Sequence, residues 1–209
     1  MSIKSSFNVF ANDIVTFIGK INWPFKGGIT PAEVSVIKAA LVPNYYIILT
    51  RHNNHLSTYF IGLADFFLTG KWGYWAHALM NCEDSVPNDG AFRLIQATGK
   101  GTNFATFDEV FTTSSVALLK PKSMSLDYWT TVLDRLKSDI GKPYDTLFDL
   151  SQDQKLSCVQ LVRNALQAEP NYAVDFANFE AMINKYHHRL TPSMFANCPD
   201  FEIVYLVKH

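Results

Sequence analysis

The chain has 209 residues and a net charge of −1, with 48% hydrophobic, 14% aromatic and only 18% charged residues. This composition excludes a disordered, collagen-like or coiled-coil protein, and the length suffices for one domain with a full apolar core. Because 18 basic residues balance 19 acidic ones and no basic run occurs, a nucleic-acid partner is not expected. Three cysteines are too few for a disulfide scaffold, so we expect reduced thiols.

The N-terminal part, residues 1–42, is predicted to be a helical extension of this domain. Six apolar residues recur at helical spacing between positions 7 and 21, namely Phe7, Phe10, Ile14, Phe17, Ile18 and Ile21. They suit a helix packed on the domain or, alternatively, a helix in contact with a membrane interface. Neither a signal peptide nor a membrane-spanning stretch is evident, so we expect a cytoplasmic protein.

The middle of the chain alternates predicted helices and short strands. A helix begins at Thr30-Pro31, and another covers residues 56–68 and ends at Gly70. Dense apolar runs predict strands at residues 45–49, 75–80, 91–98 and 115–119.

The C-terminal part adds two helices and a strand. Ser125 begins a helix that ends at Gly141 and Pro143, with an apolar stripe at Trp129, Val132, Leu133, Leu136 and Ile140. A further helix is predicted at residues 156–166, and a strand at residues 201–207. Together these elements predict an α+β fold with a mainly antiparallel sheet packed with helices.

Cys158 is the candidate nucleophile, because it lies where a predicted helix begins. The helix dipole and the unpaired N–H groups there favour a thiolate, and the same N–H groups could stabilise an oxyanion. The position equally suits a small buried residue on the helix face. Neither Cys82 nor Cys198 lies at the start of a predicted helix.

Motifs for phosphate binding, hydride transfer and serine or zinc hydrolysis are absent from the sequence. The pair His52-x-x-His55 has no further ligands, so no metal or cofactor is expected.

His77 is the candidate base, since it lies inside a predicted strand among apolar residues, where a histidine satisfied within the core is the alternative interpretation. If the strands around the turn at residues 87–90 pair with Met80 opposite Arg93, His77 lies opposite Gln96. A Gln96 carbonyl accepting Nδ1–H would then leave Nε2 to face the thiol.

In their order along the chain, these residues resemble a known family. The segments that carry the resemblance are the His77 strand, residues 92–111, residues 116–122, the Gly-x-Pro-Tyr-Asp segment 141–145 followed by Cys158, and residues 190–196. They are similar to the permuted branch of the NlpC-type papain-like cysteine peptidases, the YiiX/YebB-like group, over residues 43–205.

This resemblance implies a single, circularly permuted papain-like domain over residues 1–209. It makes Cys158 the nucleophile, His77 the base and Gln96 the orienting residue, where relatives usually have an acid, and it places Tyr144 at the border of the site. The implied activity is a cysteine hydrolase of peptide or cell-wall peptide amide bonds, working through an imidazolium–thiolate pair and an acyl-enzyme.

Two alternatives remain at this point. Gln96 and the pair Val159-Gln160 depart from the family pattern, which would suit a non-catalytic papain-like binding module. A thiol acyltransferase or esterase acting on lipids, with residues 7–21 at the membrane, is the other alternative.

Overall fold

A computed structural model describes residues 28–41, 45–53, 56–82, 93–146, 150 and 153–209. The predicted helix at residues 7–21 lies outside this part. The described helices are α1 Pro31–Leu41, α2 Leu56–Thr69, α3 Phe107–Val110, α4 Trp129–Ser138, α5 Cys158–Leu166, α6 Tyr172–Asp175, α7 Ala177–Lys185 and α8 Pro192–Asn197, with a 3₁₀ turn at Leu126–Tyr128. The strands are β1 Ile47–Arg51, β2 His77–Asn81, β3 Arg93–Thr98, β4 Gly101–Thr106, β5 Ser115–Pro121 and β6 Phe201–Val207.

The six strands form an antiparallel sheet in the order β4-β3-β2-β1-β5-β6. Helices cover both faces, so the predicted α+β class with an antiparallel sheet is confirmed. Strand β1 lies near the centre and is buried along its whole length, from the apolar Ile47 to the polar Thr50 and Arg51. Ile47 and Leu49 point into one core, whereas Ile48 points into the other.

The larger core lies between the sheet and helices α4, α5, α7 and α8. Helix α4 buries the predicted stripe of Trp129, Val132, Leu133 and Leu136, and the chain leaves it through Gly141 at a φ of 90°. The smaller core, on the opposite face of the sheet, is covered by α1 and α3.

Strand β4 is absent from the predicted elements. It pairs with β3 from Thr98 opposite Gly101 to Arg93 opposite Thr106, and only Gly99 and Lys100 connect the two strands. A glycine-containing two-residue connection is a recognised hairpin signal, but the residues after it, Thr102 to Thr106, are too polar to read as a strand. Pairing with β3 therefore decides their conformation. None of the described helices is both long and apolar enough to cross a bilayer.

Candidate active site

The helix that carries Cys158 begins with a capping box. Ser157 Oγ accepts the N–H of Gln160 at 3.4 Å, and Gln160 Oε1 accepts the N–H of Ser157 at 3.3 Å. The N–H of Leu161 donates to the Ser157 carbonyl at 2.9 Å. A helix leaves its first N–H groups without partners inside the helix. The two that the capping box does not use, those of Cys158 and Val159, point at the Cys158 sulfur and lower the pKa of its thiol.

The Cys158 thiol is buried, with an exposure of 1%. Besides the two helix N–H groups, the backbone N–H of Ala78 and the hydroxyl of Tyr144 donate to its sulfur. Burial nevertheless raises the pKa of Cys158 to about 11, because lost hydration disfavours the thiolate more than these donors favour it. The prediction that the helix start favours a thiolate is therefore wrong for the resting site, where the thiol is neutral.

Tyr144 lies against this thiol because its segment is tied to the chain just before Cys158. Leu156 donates its N–H to the carbonyl of Pro143 at 2.9 Å, and Asp145 donates its N–H to the carbonyl of Leu156 at 3.2 Å. The two bonds frame a parallel bridge between Tyr144 and Leu156. Burial, together with the adjacent Cys158, raises the pKa of the Tyr144 hydroxyl well above its ordinary value, so the hydroxyl keeps its proton and can donate it.

His77 and Gln96 are hydrogen-bonded, but not in the predicted register. The Nε2 atom of His77 lies 2.9 Å from Gln96 Oε1. Gln96 is directly opposite Leu79, so it meets His77 diagonally, and the predicted pairing of Gln96 with His77 is off by two residues. The contact survives because a glutamine side chain is long enough to reach a diagonal neighbour. The predicted Nδ1 contact is also wrong, because Gln96 binds Nε2 instead, and Nδ1 has no hydrogen bond to any residue that the structure describes.

The imidazole of His77 is closely surrounded by protein atoms, although the residue keeps partial contact with solvent. Burial lowers its pKa, and the bond to Gln96 raises it only in part. With a lowered pKa for His77 and a raised pKa for Cys158, the resting pair is neutral instead of imidazolium and thiolate.

The thiol and the imidazole lie at the same end of β2 without a hydrogen bond between them. Gln96 shares the sheet face of Leu79 and the smaller core, whereas α5 packs on the other face. Cys158 meets the main chain at Ala78, the residue directly after His77. Strand β2 is irregular here, because Thr50 lies opposite His77 but its carbonyl accepts the N–H of Ala76. The structure therefore brings His77 together with Gln96, and Cys158 up to the strand that carries His77, but it shows no contact between the thiol and the imidazole.

One support of this strand end is a contact that the sequence did not reveal. The N–H of Trp75 donates to Ser193 Oγ in α8 at 3.0 Å. Thr191, just before α8, donates its hydroxyl to Asp65 Oδ1 in α2 at 2.7 Å. These bonds hold the chain two residues before His77. Ser193 belongs to a segment that carried the family resemblance, but nothing in its spacing points to Trp75.

The capping box was also missed, although Ser157-x-x-Gln160 is a recognisable signature. The other two cysteines are buried and form no disulfide bond. Cys82 lies near the Arg93 carbonyl, and burial raises the pKa of Cys198 to about 12.

No protein-family model matches the sequence, and no curated protein matches it significantly. The structure is similar to the crystal structure of the metalloprotein YiiX from Escherichia coli O157:H7, with a TM-score of 0.57 and 15% sequence identity. The match covers 81% of this chain and 99% of the YiiX chain.

YiiX is described as a metalloprotein, and a metal centre requires several donor side chains close together. Among the described residues, no group of three or more His, Cys, Asp or Glu side chains lies close enough together to hold one. His55, half of the His52-x-x-His55 pair, lies outside the described part. The described residues thus do not fit a metal centre. What the comparison establishes is the architecture: this chain has a YiiX-like fold, as the resemblance predicted.

Proposed function

We propose that this protein is a cysteine hydrolase of amide or ester bonds with a permuted papain-like architecture. Cys158 is the nucleophile, His77 the general base and acid, Gln96 the residue that orients His77, and Tyr144 a border of the substrate site. The observation that carries the proposal is the capped start of α5, where two unpaired N–H groups act on a thiol that touches the residue after His77. A nucleophile and oxyanion donors meet there, next to the strand that carries the proposed base.

The reaction begins from the neutral pair. Because Nε2 is bonded to Gln96, the Nδ1 lone pair of His77 is available to take the thiol proton. No hydrogen bond joins the two described side chains in the resting site, so this transfer requires His77 and Cys158 to come into contact when substrate binds. Keeping the thiol neutral and buried until substrate arrives protects it from adventitious oxidation.

The sulfur then attacks the substrate carbonyl, and the N–H groups of Cys158 and Val159 hold the oxyanion. The bond to the leaving amine or alcohol breaks as His77 returns its proton to that group, which leaves a thioester on Cys158. A water molecule, deprotonated by His77, attacks the thioester, releases the carboxylic acid and regenerates the thiol.

Trapping the acyl-enzyme tests the proposal. Incubation with an activated ester such as p-nitrophenyl acetate should add one acetyl group to Cys158, detected by intact mass and peptide mapping. Replacing Cys82 or Cys198 by alanine should leave this adduct unchanged, whereas His77→Ala should slow its formation. An adduct spread over all three cysteines, or one that forms at the same rate without His77, would refute the proposed mechanism.

The second candidate is a non-catalytic binding module. The observations that favour it are the buried thiol, its raised pKa and the lack of a hydrogen bond to His77. In that case Cys158 should resist acylation by the activated ester at every pH between 6 and 9. The membrane-acting acyltransferase depends on residues 7–21, which lie outside the described part, and liposome cosedimentation with and without residues 1–22 tests it.

A further inference from the structure

Helix α2 turns its polar side towards the protein and its apolar side towards solvent. Four small or polar residues at helical spacing form the inward side, namely Thr58, Gly62, Asp65 and Thr69. Thr58 donates its hydroxyl to the His52 carbonyl at 2.8 Å, and Asp65 accepts the hydroxyl of Thr191 at 2.7 Å. A surface helix of a globular protein normally has the opposite arrangement, with its apolar side buried.

The outward side of α2 is an exposed apolar surface. We call it the α2 face, and it consists of Phe60, Leu63, Ala64, Phe66 and Phe67. The side chain of Phe67 is 77% exposed, and its ring centroid lies 6.0 Å from that of Phe66. The α2 face carries no charge, because Asp65, the single charged residue of the helix, is buried on the inward side. Contiguous exposed apolar surface of this kind marks a place where another segment or molecule binds.

The described part of the chain begins at the end of the sheet where α2 lies. The N–H of Ile29 donates to the Thr113 carbonyl at 3.0 Å. The hydroxyl of Thr113 in turn donates to the carbonyl of Arg51, the last residue of β1. Only residues 52–55 separate Arg51 from the first residue of α2. Residues 1–27 therefore join the domain close to the start of α2.

Residues 7–21 have the properties that a partner of the α2 face needs. Their six regularly spaced apolar residues, from Phe7 to Ile21, include no charge. A helix over residues 7–21 would be about 22 Å long, and the 14 residues of α2 span about 21 Å. The linking residues 22–27 reach up to about 20 Å when extended, which suffices to place such a helix alongside α2.

A membrane surface fits these two segments less well. Helices that lie at the surface of a bilayer are rich in Lys and Arg on their polar side. Helix α2 contains neither residue, and residues 7–21 contain Lys20 as their single basic residue. A second copy of the chain is also at a disadvantage, because the link through residues 22–27 gives residues 7–21 a high effective concentration at the α2 face.

We propose that residues 7–21 form a helix that packs its apolar stripe on the α2 face of the same chain. The contact buries Phe60 and Phe67, and it needs no activity of Cys158. It also links the N-terminal segment to the strand end before His77, since the inward side of α2 binds Thr191 through Asp65.

Hydrogen–deuterium exchange of the full chain, read by mass spectrometry, tests this contact. Phe17→Asp places a charge in the stripe and should speed the exchange of the α2 amides by about tenfold, the effect of exposing one buried phenylalanine. Asn12→Asp is the matched control, because it adds the same charge on the opposite side of the predicted helix and should leave α2 unchanged. In both variants the exchange of α4 should equal that of the wild type, which shows that the core is folded.

The reciprocal substitution is Phe67→Asp, which should speed the exchange of residues 7–21 by a similar factor. Val174→Asp is its control, since Val174 is 78% exposed but lies in α6. In a Phe17→Asp background, Phe67→Asp should change the exchange of residues 7–21 no further, because the contact is already lost.

Light scattering and vesicle sedimentation detect the other occupants of the α2 face. The full chain should have the mass of one chain and should not sediment with vesicles of phosphatidylcholine and phosphatidylserine. An α2 exchange rate that is the same in the wild type and in Phe17→Asp would overturn the inference. A dimer that Phe67→Asp dissociates, or vesicle binding that both substitutions abolish, would do so too, by assigning the face to a second copy or to a membrane.

Discussion

The two halves of the candidate site are built in different ways. The thiol half depends on residues close together in sequence, because Ser157, Cys158 and Gln160 form the helix start by themselves. The imidazole half depends on strand pairing, since Gln96 reaches His77 only through the register of β2 with β3. The helix start of the thiol half can therefore form together with α5. The contact between His77 and Gln96 in the imidazole half requires the folded sheet. Substitutions should affect the two halves differently.

The largest effect is expected on the rate of Cys158 acylation when the proposed base, His77, is removed. His77→Ala should lower the rate of ester acylation at Cys158 by about 10²–10⁴-fold, the usual contribution of a positioned general base. Stopped-flow release of p-nitrophenol measures it, with Cys82→Ala as a matched control of unchanged rate. If raising the pH until the Cys158 thiol ionises restores the acylation rate of His77→Ala, the variant is folded and lacks only the base that deprotonates the thiol.

Alkaline pH should destabilise the thiol half. The pKa of Cys158 is raised from 9.0 to about 11 in the folded protein, so the folded state holds this proton more tightly than the unfolded chain does. Its contribution to stability is complete below pH 9 and is lost as the pH rises through 11, at up to about 1.4 kcal/mol per pH unit. Urea unfolding under reducing conditions should show a shallower decline in Cys158→Ala. An identical decline in both proteins would contradict the raised pKa.

Breaking the capping box should have a smaller effect on stability. Ser157→Ala removes the acceptor of the Gln160 N–H and should lower the free energy of unfolding by about 1–2 kcal/mol, because the cap is buried. Ser157→Thr keeps the hydroxyl and should recover most of it. Ser138→Ala, at an exposed helix end, is the comparison and should change stability by less than about 0.5 kcal/mol. Equal losses in the buried and exposed variants would argue against the cap.

The smallest effect concerns the electrostatics of the imidazole half. Gln96→Glu places a carboxylate beside His77 and should raise its pKa by about one unit, or 1.4 kcal/mol, since a negative neighbour favours the imidazolium. Gln96→Leu should lower the pKa of His77, because the Gln96 bond is what opposes the effect of burial. An NMR titration of the ring protons measures both. A pKa that is insensitive to both substitutions would mean that Gln96 does not act on His77.

Much of the fold follows from local patterns. The stripe in α4 and the apolar run at residues 45–49 predicted a helix and a buried strand, and both are present, the strand as β1. The boundaries moved by a few residues, as in β2, which begins at His77 and not at residue 75. Strand β4 and the helices α3, α6 and α8 were not predicted. Their sequences are short or mixed, and contacts with the rest of the chain stabilise them.

The site shows the same division. Cys158 at a helix start was predictable, since caps and helix ends are written in adjacent residues. The sign of its pKa shift was not, because burial under β2 and Tyr144 outweighs the helix N–H groups. The contact between His77 and Gln96 was predicted from a wrong strand register. It forms nevertheless, because the long glutamine side chain reaches His77 from the position opposite Leu79.

By itself, the sequence determined the class of fold and the helix start at Cys158, and it predicted that His77 and Gln96 lie next to each other. Only the tertiary structure decided which imidazole nitrogen is bonded to Gln96, that burial keeps the resting thiol neutral, and that Ser193 supports the chain just before His77. The physical reason is the distance along the chain over which each effect acts. Helix starts and apolar periodicity depend on a few neighbouring residues. Burial, strand register and diagonal contacts depend on segments that meet only when the chain is folded.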